Sequence, residues 1–141
     1  MLNLAITEKS QLNQLLDTIH DQRFDLNTLR HDSHQQKLFI SFSREQTENR
    51  TLERSGLIIK RWSLPVVESL LQIKNVEHFI IQDPAQVGIY ELNSIKYSER
   101  NNELTLKAEP TLTLRIRVSS LSLSLADTGK TLGRRQFRSL Q

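Results

Sequence analysis

From Thr111 to Leu125 the chain alternates apolar and polar residues almost without interruption. Leu112, Leu114, Ile116 and Val118 fall on one side, with Thr113, Arg115 and Arg117 on the other. Leu121, Leu123 and Leu125 then alternate with Ser122 and Ser124. A period of two is the mark of antiparallel strands with one buried and one wet face, so this chain must fold around a sheet. The same period recurs in Leu38, Ile40 and Phe42 and in Leu104, Leu106 and Ala108. Glu109-Pro110 and Ser119-Ser120 punctuate neighbouring strands. Leu57–Trp62 and Val76–Gln82 read as further strands, whereas the polar Arg44–Ser55 stretch reads as a loop.

Two segments carry a helical period. Within Thr7–His20, with Thr7 or Ser10 as N-cap, Leu12, Leu15, Leu16 and Ile19 fall at i, i+3, i+4 and i+7. One apolar stripe on a short helix is a packing stripe. Between Ser63 and Asn75, a capping serine, Pro65 in the first turn and an apolar face of Val66, Val67, Leu70 and Leu71 predict a short helix over 64–74. The paired valines favour one more strand as the competing reading.

Part of the chain is also written twice. Phe24–Ser43 aligns without a gap on Tyr90–Glu109, 66 positions later, beginning with the pairs Phe24/Tyr90, Asp25/Glu91, Leu26/Leu92 and Asn27/Asn93. Gln35-Gln36 and Asn101-Asn102 then form equivalent turns before Leu38 and Leu104. A repeated hairpin unit implies halves at 24–83 and 88–127 related by a pseudo-two-fold axis within one core. The expected fold is α+β and mainly antiparallel: about eight strands in a sandwich or open barrel, with the N-terminal helix covering an edge or end. Residues 1–127 form the expected domain, and 128–141 a basic, flexible tail.

Composition narrows the function. At 141 residues, 37% apolar and 25% charged, the chain is one globular domain's worth and not a disordered one. No run approaches the ~20 apolar residues that span a bilayer. The N-terminus lacks a secretory pattern, so a cytoplasmic location is the expectation. Without cysteine there is no disulfide, thiolate metal site or cysteine nucleophile. The net charge of +3 is smaller than the charge of the tail alone, which holds Lys130, Arg134, Arg135 and Arg138 without an acid.

Catalytic patterns are sparse. His31-Asp32-Ser33-His34 offers two imidazoles and a carboxylate in a turn, but three ligands so close rarely share one ion, and a solvated turn is the simpler account. His20-Asp21 and His31-Asp32 resemble the pair of metal phosphohydrolases, whose several helices this chain lacks. Gly129-Lys130-Thr131 has Ser124 where a phosphate-binding loop needs its first glycine. No nucleophile elbow or zinc-binding helix motif is present. No cofactor is expected.

The binding candidates are therefore surfaces. Arg115 and Arg117 share one strand face, which Lys107 and Lys60 or Arg61 could extend; such a face can bind phosphates, or it is a solvated face balanced by Glu103 and Glu109. Trp62 is either a core plug at a sheet end or an interaction anchor. The tail, with Phe137 and Leu140 among its cations, is either without a role or a peptide that orders against an acidic partner or nucleic acid.

The segment Ile19–Asp32, followed by Lys37-Leu-Phe-Ile-Ser-Phe, resembles the start of small bacterial β-rich domains of unknown function, some of them immunity-protein-like. The resemblance covers about a quarter of the chain and carries no catalytic residues; it implies a β-rich fold and a binding role. The expectation is a non-enzymatic binding or scaffold domain with a protein partner. The alternatives are nucleic-acid or anionic-ligand binding, an enzyme of unknown class, and self-association through a sheet edge.

Overall fold

The computed structural model describes residues 2–56 and 59–140. The first two residues of the expected Leu57–Trp62 strand, and Gln141 of the expected tail, lie outside the described residues. In chain order the elements are β1 (Asn3–Ile6), α1 (Leu12–Ile19), β2 (Arg23–Asp25), β3 (Arg30–Asp32), β4 (Lys37–Glu45), β5 (Thr51–Ser55), β6 (Ile59–Ile73), β7 (Val76–Gln82), β8 (Ile89–Ser98), β9 (Glu103–Glu109), β10 (Leu112–Val118) and β11 (Leu123–Leu140). Short 3-10 turns occupy Lys9–Gln11, Leu26–Thr28 and Thr47–Asn49.

The strands form one antiparallel sheet in the order β1-β11-β6-β4-β2-β8-β9-β10-β7, with β3 added to β4 and β5 to β6. β6 and β7 stand far apart in that order, yet only Lys74 and Asn75 join them. Two residues reach about 10 Å between the flanking strand ends, so the sheet must curl back on itself. His31 on β3 accordingly packs edge-on against Phe79 of β7, ring centroids 5.0 Å apart. The alternating apolar residues of the long strands line a single core, from Ile6 and Leu125 at one end of the sheet to Val76 and Ile116 at the other. Leu12, Leu15 and Ile19 of α1 are buried in it, as their spacing requires. The helix is shorter than expected at its start, because Gln11 Oε1 accepts the backbone N–H groups of Thr7 and Glu8 at 2.8 and 3.1 Å and holds Lys9–Gln11 in a 3-10 turn.

The sequence repeat is a repeat of pairing register. The pairs Arg30↔Phe39, His31↔Leu38 and Asp32↔Lys37 recur 66 positions later as Lys96↔Thr105, Tyr97↔Leu104 and Ser98↔Glu103. Leu38 and Ile40 face Ile73 and Leu71 of β6, just as Leu104 and Leu106 face Ile116 and Leu114 of β10. Phe24 and Tyr90, equivalent in the repeat, are direct cross-strand partners at its centre. The halves are intertwined: β7, from the first half, pairs with β10, and β11, from the second, pairs with β6. The two exchanges run side by side, with Lys74 N–H donating to Ser122 O and Ser119 N–H to Asn75 O. Each is tied to its hairpin, Val76 N–H to Gln36 O and Val118 N–H to Asn102 O. Gln36 and Asn102 both hold positive φ, 54° and 51°. Asparagine tolerates this region and glutamine does so less readily, so Gln36→Gly is expected to raise stability by about 0.5 kcal/mol in chemical denaturation.

Three expectations need correction. Residues 64–74 are not a helix: 64–73 are the second part of β6, paired with β4 on one side and β11 on the other, and Lys74 begins the turn to β7. Val67, Ser69, Leu71 and Ile73 face the core in strand alternation; the polar Ser69 in the buried row hides the period of two. Residues 128–140 are not a flexible tail, since β11 continues through them against β6 to Leu140. Arg44–Ser55 is not a plain loop: it completes β4 and forms a 3-10 turn and β5. The strand count rises to eleven among the described residues, including the N-terminal β1, which covers the outer edge of β11.

Candidate functional site

β6 and β11 are the two longest strands, and their outer parts leave the core together with β5 as a three-stranded arm. The arm begins at two register breaks in β11, between Asp127 and Thr131 and between Thr131 and Gly133. Gly129 and Gly133 supply the required positive φ, 89° and 137°. Gly129-Lys130-Thr131 is therefore a strand bulge and not a phosphate-cradling loop. Taken as residues 50–66 and 130–140, the arm holds 8 of the chain's 19 Lys and Arg but 1 of its 16 acids, so the remaining body is net acidic.

Directly opposed residues on neighbouring strands share a face, and the register sorts the arm into two. On one face Trp62 lies opposite Phe137 and Leu52. Trp62 Nε1 donates to Ser139 Oγ at 2.9 Å, and the Arg50 guanidinium lies 5.1 Å from the indole centroid. Arg135 belongs to this face and pairs with Glu45 at 2.8 Å. On the other face Arg61 lies opposite Arg54 on β5 and Arg138 on β11, forming a row of three arginines across three strands. Arg134 sits nearer the body, its Nε and Nη2 donating to Ser63 Oγ at 3.2 and 2.8 Å.

Where this second face enters the body, a buried ionic clasp closes it. Arg44 Nη2 donates to both oxygens of Asp127, at 3.1 and 2.9 Å, and Arg44 Nε donates to Ser69 Oγ at 3.2 Å. Ser69 Oγ donates to Asp127 Oδ1 at 2.5 Å, and Leu2 N–H to Oδ2 at 3.1 Å. The half-exposed Glu48 completes the cluster, 3.2 Å from Arg44 Nη1. Burial by itself would raise the Asp127 pKa, but the bonds from Arg44, Ser69 and Leu2 outweigh it and hold the carboxyl at about 2. Sequence reasoning missed this cluster, although a signal existed. Arg44 continues the buried row Leu38-Ile40-Phe42, Ser69 interrupts Val67-Leu71-Ile73, and Asp127 extends Leu121-Leu123-Leu125.

Asp83 stands two residues beyond Ile81, as Asp127 stands two beyond Leu125, at equivalent places in the two halves. Pro110 and Leu112 replace Arg44 and Ser69 there, and Asp83 instead accepts the hydroxyl of Tyr90. Burial first, and then the Asp83 carboxylate, raise the Tyr90 pKa above its ordinary value of 10.0. A spectrophotometric titration of the folded protein should show a late-ionising tyrosine that Tyr90→Phe removes. Because the folded state keeps the proton, Tyr90 favours folding up to its unfolded pKa and loses that contribution as pH rises through the folded value.

The candidate residues thus separate. Trp62, Lys130, Arg134, Arg135, Phe137 and Arg138 are brought together on the arm, although the side chain of Leu140 lies outside the described residues. Arg115 and Arg117 are exposed on β10, with Lys107 beside them on β9. Lys60 and Arg61 do not join that face, because β4, β2, β8 and β9 stand between β6 and β10. His20 pairs locally with Asp21 at 3.1 Å on the surface. Among the described residues no three His, Cys, Asp or Glu side chains are arranged to hold a metal, and no helix is long and apolar enough to cross a membrane. A groove beside Leu12, Ile95, Tyr97 and Leu121 brings together no ion-paired or hydrogen-bonded catalytic set from Glu8, Lys9, Lys96 and Glu99. No protein-family model matches the chain, and neither a curated protein nor a solved structure matches it.

Proposed function

We propose that this chain is a non-enzymatic binding domain whose curled sheet is the scaffold and whose β5–β6–β11 arm is the recognition element. The observation that carries this reading is the concentration of cations on a three-stranded arm that continues beyond the core, on a body that is otherwise net acidic. A sheet extension with little buried apolar surface adds little to folding, so its length and charge are better accounted for by contact with a partner. The Trp62 face supports a protein partner: Trp62, Phe137 and the 44% exposed Leu52 form an aromatic and apolar patch edged by Arg50 and Arg135.

Affinity capture from the native lysate, with and without nuclease, tests the reading. A stoichiometric partner retained by the native chain should be lost with Trp62→Ala/Phe137→Ala, while Arg115→Gln/Arg117→Gln retains it. Loss of the partner only in the Arg115/Arg117 variant would move recognition to the outer face of β10.

A further inference from the structure

The arginine row specifies what its face of the arm binds. Arg54, Arg61 and Arg138 are lateral neighbours on strands about 4.8 Å apart. Like charges directly opposed across a sheet oppose folding, and sequences usually interleave acids to relieve them. Here no acid does so: none of the three arginines has an ion pair or a side-chain hydrogen bond among the described residues. Glu53 is the arm's single acid and falls in the register break between Leu52 and Arg54. The nearest acids farther along the face, Asp127 and Glu48, are already engaged by Arg44. Three guanidinium forks in a row across the strands, with Arg134 on the same face four residues farther along β11, form an arrangement suited to several linked anions and poorly suited to a single one.

We propose, on the basis of the arm reading above, that this face holds the phosphodiester backbone of a nucleic acid, with Arg54, Arg61 and Arg138 each contacting phosphate. Guanidinium is the side chain matched to phosphate oxygens, and a row of them on a sheet ribbon follows successive phosphates without reading bases. Binding is then sequence-tolerant and strongly salt-dependent. Acidic protein is the competing polyanion, but isolated carboxylates on flexible side chains offer less regular spacing than a backbone that repeats one charge per nucleotide.

The test is fluorescence anisotropy of the full chain with a labelled DNA strand, its duplex, the corresponding RNA and labelled poly-glutamate, each across a salt series. Arg54→Gln/Arg61→Gln/Arg138→Gln is compared with Lys107→Gln/Arg115→Gln/Arg117→Gln, which removes the same charge from the outer face of the body. The row variant should bind nucleic acid about tenfold or more weakly, with the log–log salt slope reduced by roughly 2 to 3, and the control should lose much less. Its melting temperature at low salt should be unchanged or higher, since like charges have been removed, so lost binding is not lost folding. Equal losses in both variants, or none in the row variant, overturn the proposal. Row-dependent binding of poly-glutamate without binding of nucleic acid overturns it while leaving the arm as the recognition element. Row-independent binding of every probe removes both.

Discussion

Asp127→Ala is expected to destabilise the protein by about 3–5 kcal/mol, because it leaves the Arg44 guanidinium buried without its counter-ion. The Arg44 and Asp127 side chains are only 6% and 2% exposed, so water cannot replace the lost carboxylate without opening the structure. A single domain is stable by about 5–15 kcal/mol, which makes this one change a large fraction of the whole. Denaturant unfolding of the variant measures it directly. The paired replacement Arg44→Met/Asp127→Leu should recover most of the loss, because removing both charges also removes their desolvation cost. If the single and paired replacements cost the same, the clasp contributes through shape and not through charge. The same group sets the acid limit. The folded pKa of Asp127, about 2, lies below the ordinary 3.8, so its contribution is complete above the unfolded value and disappears as pH falls through the folded one. Acid unfolding between about pH 4 and 2 should therefore shift upward when Ser69→Ala removes one of the bonds that hold the carboxylate ionised.

Phe24→Ala is expected to cost a similar 3–5 kcal/mol from lost burial and the cavity left behind. Phe24 is 3% exposed, with its ring 5.1 Å from Phe42 and 6.1 Å from Tyr90. These contacts join the two hairpins where β2 meets β8, so the loss falls on the seam between the repeated units. Double-mutant cycles of Phe24→Ala with Phe42→Ala, and of Phe24→Ala with Tyr90→Ala, should give coupling of about 0.5–1.5 kcal/mol for each pair. Additive losses would mean that the rings fill space independently and that the seam is held by its backbone ladder alone.

The clasp and the arm show where local pattern stops being informative. Leu112–Val118 and Leu38–Phe42 were legible because every second side chain is apolar, and burial of one face is the dominant favourable term. Residues 64–74 misled for the opposite reason. Ser69 occupies a core position, which breaks the alternation and leaves valines and leucines at a spacing that also suits a helix. The basic stretch after Asp127 looked like a tail because it has few apolar residues to pack. It is held instead by a ladder of backbone hydrogen bonds to β6, which composition does not reveal. Of the six candidate residues, the five on β11 were legible together as a basic C-terminal stretch and Trp62 only by itself; their assembly on one arm required the register between β6 and β11.

What the sequence alone determined is the set of local facts: a sheet with one buried face, a short covering helix, a repeated hairpin with Gln36 and Asn102 at matching turns, and cations without acids at the C-terminal end. These follow from side-chain period and charge, which neighbours along the chain impose on one another. The tertiary structure decided which strands exchange between the halves, that Arg44, Ser69 and Asp127 meet, and that Arg54, Arg61 and Arg138 stand in a row. Those outcomes depend on strand order and register between segments far apart in the chain. Many pairings satisfy the same alternation, and only simultaneous closure of one core and satisfaction of its buried charges selects among them.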